Sequence, residues 1–163
     1  MEIREAKPGD ESKLSSFLQE AWREAGPGAP GFTGATEETI EEIASIDFLE
    51  RLLTNPKNKI FVAEDENKFI GFASSRESDD GFIELSGIIV LNSRLGEGVG
   101  TRLLNIVRSF ASSIGYHKIM VKTEVFNGKA IRFYEKMGFM EADRAIEEIN
   151  GIQVDLVILS LVI

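Results

Sequence analysis

The segment from Ile88 to Thr123 constrains this chain more than any other. It opens with the apolar run Ile88-Ile89-Val90-Leu91 and passes through Asn92-Ser93-Arg94-Leu95-Gly96-Glu97-Gly98-Val99-Gly100. From Thr101 it continues with helical periodicity. Val99, Leu103, Ile106, Val107, Phe110 and Ile114 form one apolar face, and Gly115 is a natural terminator. Lys118–Thr123 then reads as a strand. A strand, a tight turn, a helix and a second strand make a crossover unit. Such units are right-handed and set their two strands parallel. The glycines at 96, 98 and 100 let the backbone approach a ligand with no Cβ in the way. The helix behind them aims its unpaired N–H groups and positive dipole end at the same spot. The turn therefore predicts an anion site suited to a phosphate or pyrophosphate.

Two common phosphate motifs do not match. A Walker loop ends in Gly-Lys-Ser/Thr, whereas Gly100 is followed by Thr101 and Arg102. A dinucleotide fingerprint places a further Gly or Ala where this chain has Thr101 or Leu103. Its acidic partner about twenty positions on is matched only loosely, by Glu124.

Composition narrows the class. A chain of 163 residues with 43% apolar content suits one domain, residues 1–163, with a sizeable core. No apolar run reaches the roughly 18 residues needed to span a bilayer, so no membrane association is expected. The charged start Met1–Asp10 does not resemble a signal peptide. There is no cysteine and a single histidine, His117, so no metal site, disulfide or thiol nucleophile is expected. These features fit a cytoplasmic protein. The net charge of -9 argues against a nucleic-acid footprint and favours a cationic partner.

The remaining pattern fills in the fold. Glu2–Lys7 reads as a strand, and Asp10 is placed to cap a helix carrying Leu14, Phe17, Leu18, Ala21 and Trp22. Gly26-Pro27-Gly28-Ala29-Pro30-Gly31 breaks it and opens a long loop to Ala35, suited to binding. One helix is expected from Thr36 to about Leu53. Its outer face is acidic, with Glu37, Glu38, Glu41, Glu42, Asp47 and Glu50. Lys59–Glu64, Lys68–Ser75 and Phe82–Leu91 read as strands joined by hairpin turns. Asn127–Met137 is a short helix, and Glu141–Asn150 and Ile152–Val162 close the chain as strands. The apolar last strand offers an edge for pairing in a homodimer. The whole predicts an α/β domain with a mixed, mostly antiparallel sheet and a central parallel strand pair, flanked by about four helices.

With these residues in place, the chain resembles the GNAT superfamily of N-acetyltransferases. That family carries Gln/Arg-x-x-Gly-x-Gly/Ala after its fourth strand, and Gly98-Val99-Gly100 supplies the glycines in the matching context. Leu95 stands at the Gln/Arg position, and Arg94 lies one residue earlier. A second match, Asn127-Gly128-Lys129-Ala130-Ile131-Arg132-Phe133-Tyr134-Glu135-Lys136-Met137-Gly138-Phe139, follows the family's Asn-x-x-Ala-x-x-x-Tyr-x-x-x-Gly-Phe pattern.

The resemblance implies acetyl-CoA as cosubstrate and a parallel pair splayed at its site. Ile88, Ile89 and Val90 would pair with the pantetheine arm, while Arg94, Leu95, Gly96, Glu97, Gly98, Val99, Gly100 and Thr101 would hold the pyrophosphate. At Leu95 the backbone N–H would do this, with Arg94 adding charge from a shifted direction. Gly87 would mark a β-bulge. Asn127 would cap its helix and bond the pantetheine. Tyr134 would protonate the departing thiolate, its ordinary pKa near 10 lying close to a thiol's. Glu84 shares a strand face with Ser86 and Ile88 by alternation and is the candidate base. The implied reaction is acetyl transfer to a primary amine by direct attack in a ternary complex. The acidic helix and Gly/Pro loop favour a small cationic acceptor over a protein N-terminus or lysine. The alternative from another class is a non-catalytic CoA-binding sensor module.

Overall fold

The computed structural model describes residues 1–163. Seven strands form a single sheet: β1 (Glu2–Glu5), β2 (Asn58–Asp65), β3 (Lys68–Glu77), β4 (Ile83–Val90), β5 (Lys118–Glu124), β6 (Met140–Ile149) and β7 (Ile152–Val162). Their order across the sheet is β1-β2-β3-β4-β5-β7-β6. All neighbours are antiparallel except β4 and β5, which are parallel. The β2–β3 turn is tight because Glu66 and Asn67 both adopt positive φ, at 50° and 63°. β4 and β5 are joined by α4 (Val99–Ser113), so the expected crossover is present.

Five α-helices flank the sheet: α1 (Glu11–Ala25), α2 (Glu37–Ile43), α3 (Ile46–Thr54), α4 and α5 (Gly128–Lys136). The single helix expected over 36–53 is two. Ser45 is extended and its hydroxyl accepts from Phe48 N–H at 3.2 Å, restarting the helix after the buried Ala44. Asp10 stands at the α1 N-cap position without capping it. Its carboxylate instead accepts from Lys7 N–H and from Arg4 Nη1 and Nη2 at 2.8 and 2.9 Å.

Strand neighbours on one chain point to opposite faces, which assigns the helices to layers. Phe72 meets Phe17 of α1, with ring centroids 6.3 Å apart. A Cβ on the adjacent Gly71 would lie 2.7 Å from Val99 and 3.0 Å from Leu103 of α4. Helix α1 therefore covers one face and α4 the other. The core runs through both layers, with Leu14, Phe17, Leu49, Ile70, Leu85, Leu103, Leu104 and Leu159 almost completely buried. On α4 the inward residues include Leu104 and Ala111, whereas Ile114 is exposed just past the helix end. No helix is long and apolar enough to cross a membrane.

The closing hairpin corrects one expectation. Strand β7 lies between β5 and β6, so both of its edges are already paired. It has no free edge for a second copy; the outer edge belongs to β6.

Candidate active site

The parallel pair is short. β4 and β5 are in register only at Ile83↔Ile119, Glu84↔Met120 and Leu85↔Val121. Beyond these positions β4 stays paired with β3 and β5 with β7, and the two strands part. Gly87–Val90 consequently faces no strand on the β5 side.

A bulge sits where they part. Leu85 opposes Ser75 and Gly87 opposes Ser74, which leaves Ser86 as the extra residue. The bulge resets the alternation. Glu84, Gly87 and Ile89 oppose Arg76, Ser74 and Phe72 on the α1 face, while Leu85, Ile88 and Val90 oppose Ser75, Ala73 and Gly71 on the α4 face. Simple alternation puts Glu84 with Ser86 and Ile88; the extra residue breaks that grouping. The half-buried Glu84 makes no hydrogen bond or ion pair within the chain, so its carboxylate is free on the α1 face at the fork.

The glycine segment follows the fork. Asn92–Arg94 forms a 3-10 turn in which Leu95 N–H donates to Asn92 C=O at 3.3 Å. That engages the Leu95 amide expected to be free. From Gly96 to Thr101 the N–H groups have no acceptor in the chain. Gly98 precedes α4 in the left-handed region (φ 79°, ψ 13°), and Gly96 has φ 83°. A Cβ on either would meet nothing, so glycine serves conformation there, not space. Gly100 has no such φ; its bare Cα faces Phe133 of α5, whose ring would lie 3.6 Å from an added Cβ. Val99 buries its side chain beneath the turn, and Thr101 stays exposed.

Arg94 is not a free cation. Its Nη2 donates to Asp65 at 2.7 Å and its Nε to Glu97 at 2.9 Å, and these carboxylates hold the guanidinium protonated well above its usual range. It ties the turn to the end of β2. The Leu95 side chain is exposed.

α5 docks beside α4. The Asn127 side chain accepts from Ala130 N–H at 3.2 Å, capping α5 as expected. Tyr134 is buried, 5.3 Å from both the Phe133 and Phe139 ring centroids. Burial pushes its phenol well above the ordinary value of 10.0, so the hydroxyl keeps its proton at neutral pH. Its acidity lies further from a thiol's than the unperturbed value implies.

A parted parallel pair, a run of free amides at a helix start and a buried tyrosine on the next helix thus meet at one end of the sheet. Residues 14–139 match the family model described as Acetyltransferase (GNAT) family. The chain belongs to the GNAT acetyltransferase family. An uncharacterised N-acetyltransferase of Bacillus subtilis is 29% identical over 146 residues, covering 86% of this GNAT chain and 91% of the relative. The spermidine N(1)-acetyltransferase of Vibrio cholerae is 33% identical over 122 residues, covering 68% and 69%. In fold, the chain is similar to the PaiA N-acetyltransferase of Thermoplasma acidophilum in complex with coenzyme A. That comparison has a TM-score of 0.75 and 19% identity, covering 99% and 98% of the two chains. The family's acetyl donor is acetyl-CoA. The unpaired β4 segment and the open amides of Gly96–Thr101 fit such a donor, which offers an amide-bearing arm and a pyrophosphate.

In the sequence Glu124 enters only as a loose match to a dinucleotide motif that the chain does not carry, with no role in acetyl transfer. It ends β5 and is only 9% exposed. Strand alternation from Met120, the register partner of Glu84, would have placed it on the same face as Glu84.

Proposed function

We propose that this GNAT acetyltransferase moves an acetyl group from acetyl-CoA to a primary amine of a small cationic acceptor, by direct attack in a ternary complex. The observation that carries this reading is the free Glu84 carboxylate at the fork of the strands, with the open amides of the glycine segment beyond it. In this reading the backbone of Ile88, Ile89 and Val90 pairs with the pantetheine arm, and the amides from Gly96 to Thr101 bind the pyrophosphate. Arg94 acts by holding the turn between Asp65 and Glu97. Asn127 retains its amide nitrogen as a donor to the arm while its oxygen caps α5.

The chemistry then assigns two proton carriers. Glu84 takes the ammonium proton, directly or through water, and frees the nitrogen lone pair. The nitrogen attacks the acetyl carbonyl carbon, and an N–H of Ile89 or Val90 stabilises the developing oxyanion. As the tetrahedral intermediate collapses, the C–S bond breaks and Tyr134 donates its proton to the thiolate, while the nitrogen sheds its second proton, which passes through water to restore the tyrosine. The acidic outer face of α2 and the net charge of -9 support a cationic acceptor, as does the likeness to a spermidine acetyltransferase.

The test is an acceptor screen that detects released CoA thiol; the chain contributes no thiol of its own. On an accepted amine, Glu84→Gln and Tyr134→Phe should each lower kcat by about a hundredfold or more. Unchanged turnover in both variants refutes the assignment. Acetyl-CoA binding without turnover of any amine favours the sensor module instead.

A further inference from the structure

The Gly/Pro loop between α1 and α2 bridges the open end of the fork. At its start, Glu24 holds the β4 side: its carbonyl accepts from Asn92 Nδ2 at 3.1 Å and its carboxylate from Ser93 Oγ at 3.2 Å. Further on, Gly31 N–H donates to Glu124 Oε2 at 3.0 Å, on the β5 side. Beyond that, Thr33 C=O accepts from Asn150 Nδ2 at 2.9 Å, and Gly34 packs against Asn150 and Ile152 of the β6–β7 turn. Residues 26–35 thus form a strap from one side of the gap to the other.

Under this strap the Glu124 carboxylate is unbalanced. It is more than nine-tenths buried, and the Gly31 amide is its sole hydrogen-bond partner in the chain. It forms no ion pair; the nearest cationic residue on its strand face, Lys122, is committed to Glu147. A buried carboxylate without a cation is costly, and removing water from it makes a matching positive group correspondingly favourable. A second group points the same way. Thr33 Oγ1 is buried without any partner, and Thr33 lies two residues from Gly31, within about 7 Å along the backbone. A carboxylate oxygen and a hydroxyl lone pair suit an ammonium, which has three donors and no acceptor.

Glu124 is also displaced from the reacting end. It shares the α1 face with Glu84 but lies four residues beyond Met120, about 13 Å along the strand. We propose that the Glu124 carboxylate binds a second ammonium group of the acceptor, which is therefore a linear diamine or longer polyamine lying between Glu84 and the strap. The inference rests on the reading of this protein as an amine acetyltransferase.

Binding, not turnover, tests it. The protein loaded with CoA is titrated calorimetrically with 1,4-diaminobutane, spermidine and n-butylamine. The diamine and spermidine should bind about tenfold tighter than the monoamine or better, the scale of one hydrogen bond to a charged group. Glu124→Gln keeps an oxygen for Gly31 N–H and removes only the charge. It should abolish that preference and leave n-butylamine affinity unchanged, with a thermal midpoint no lower than that of wild type. Thr33→Val should reduce the preference in part. Equal affinity of the polyamines for wild type and Glu124→Gln overturns the proposal. So does an equal loss for mono- and diamines, or no amine binding at all. Tight, Glu124-dependent polyamine binding without turnover would leave this site standing and refute the catalytic reading alone.

Discussion

Gly71 is where the sheet and the candidate cofactor site meet. An added Cβ would lie 2.7 Å from Val99 Cγ1 and 3.0 Å from Leu103 Cδ1, both completely or almost completely buried. Two effects of Gly71→Ala compete. Replacing glycine in a strand interior lowers the entropy lost on folding and favours alanine by about 0.5–1 kcal/mol. Forcing a methyl into a packed core costs about 1–3 kcal/mol. Val99 is stiff at χ1 and cannot swing aside, so the clash wins. The net loss is at most about 2.5 kcal/mol, or a melting midpoint lower by up to about 10 °C at this chain length. Val99 is also the first residue of α4, one residue after Gly98, so moving it moves the amides of the glycine segment. Calorimetric unfolding and CoA titration read the two consequences, and both should weaken together. The double variant Gly71→Ala/Val99→Ala isolates the contact, because the new methyl then occupies space that Val99 vacates. Its stability should exceed the additive expectation by about 0.5 kcal/mol or more. Additivity, or a raised midpoint for Gly71→Ala, would refute the packing argument.

Two further outcomes follow from local structure. Gly98→Ala places a Cβ in open space but at φ 79°, so it should cost about 1–2 kcal/mol by backbone conformation alone, whereas Gly98→Asn should cost less because asparagine tolerates that region; equal unfolding midpoints for the two variants would contradict this. Arg4, through paired hydrogen bonds, holds the Asp10 carboxyl below its usual range, and Lys13, then Arg4, does the same for Glu64. Folded values below the unfolded ones mean stability present above about pH 4 and lost as pH falls through the folded values. The midpoint of Arg4→Gln should therefore drop less steeply than that of wild type between about pH 4 and pH 2, and parallel profiles would exclude the mechanism.

The parts of the fold legible in the sequence are those with a repeating local cause. The α4 stripe has period 3.6, the β2–β3 turn carries Asn67, and Gly115 marks a helix end; each of these signals lies within a few residues. The α2–α3 break escaped because Thr36 and Ser45 are both good caps, and composition does not say that the second one is used. Asp10 shows the same limit, since a cap position is local but its Arg4 partner is chosen by the β1–β2 pairing.

The site divides along the same line. The glycine segment and the Asn127–Phe139 pattern are contiguous and were readable; the face presented by Glu84 was not, because one extra residue opposite Ser74 and Ser75 decides it. Arg94 and Leu95 make the point at the turn itself. The arginine that could have supplied charge to a pyrophosphate is held by Asp65, 29 residues away in sequence, and the Leu95 amide is spent on Asn92. The anion-binding capacity of the segment therefore begins at Gly96 and rests on backbone amides. Amides cannot be titrated or replaced by a side-chain substitution, so a Leu at the position where the family motif has Gln or Arg removes no donor in the run from Gly96 to Thr101. Glu124 stands at the opposite extreme. Its burial depends on a strap from residues 26–35, and no pattern within β5 distinguishes it from a solvent-facing carboxylate.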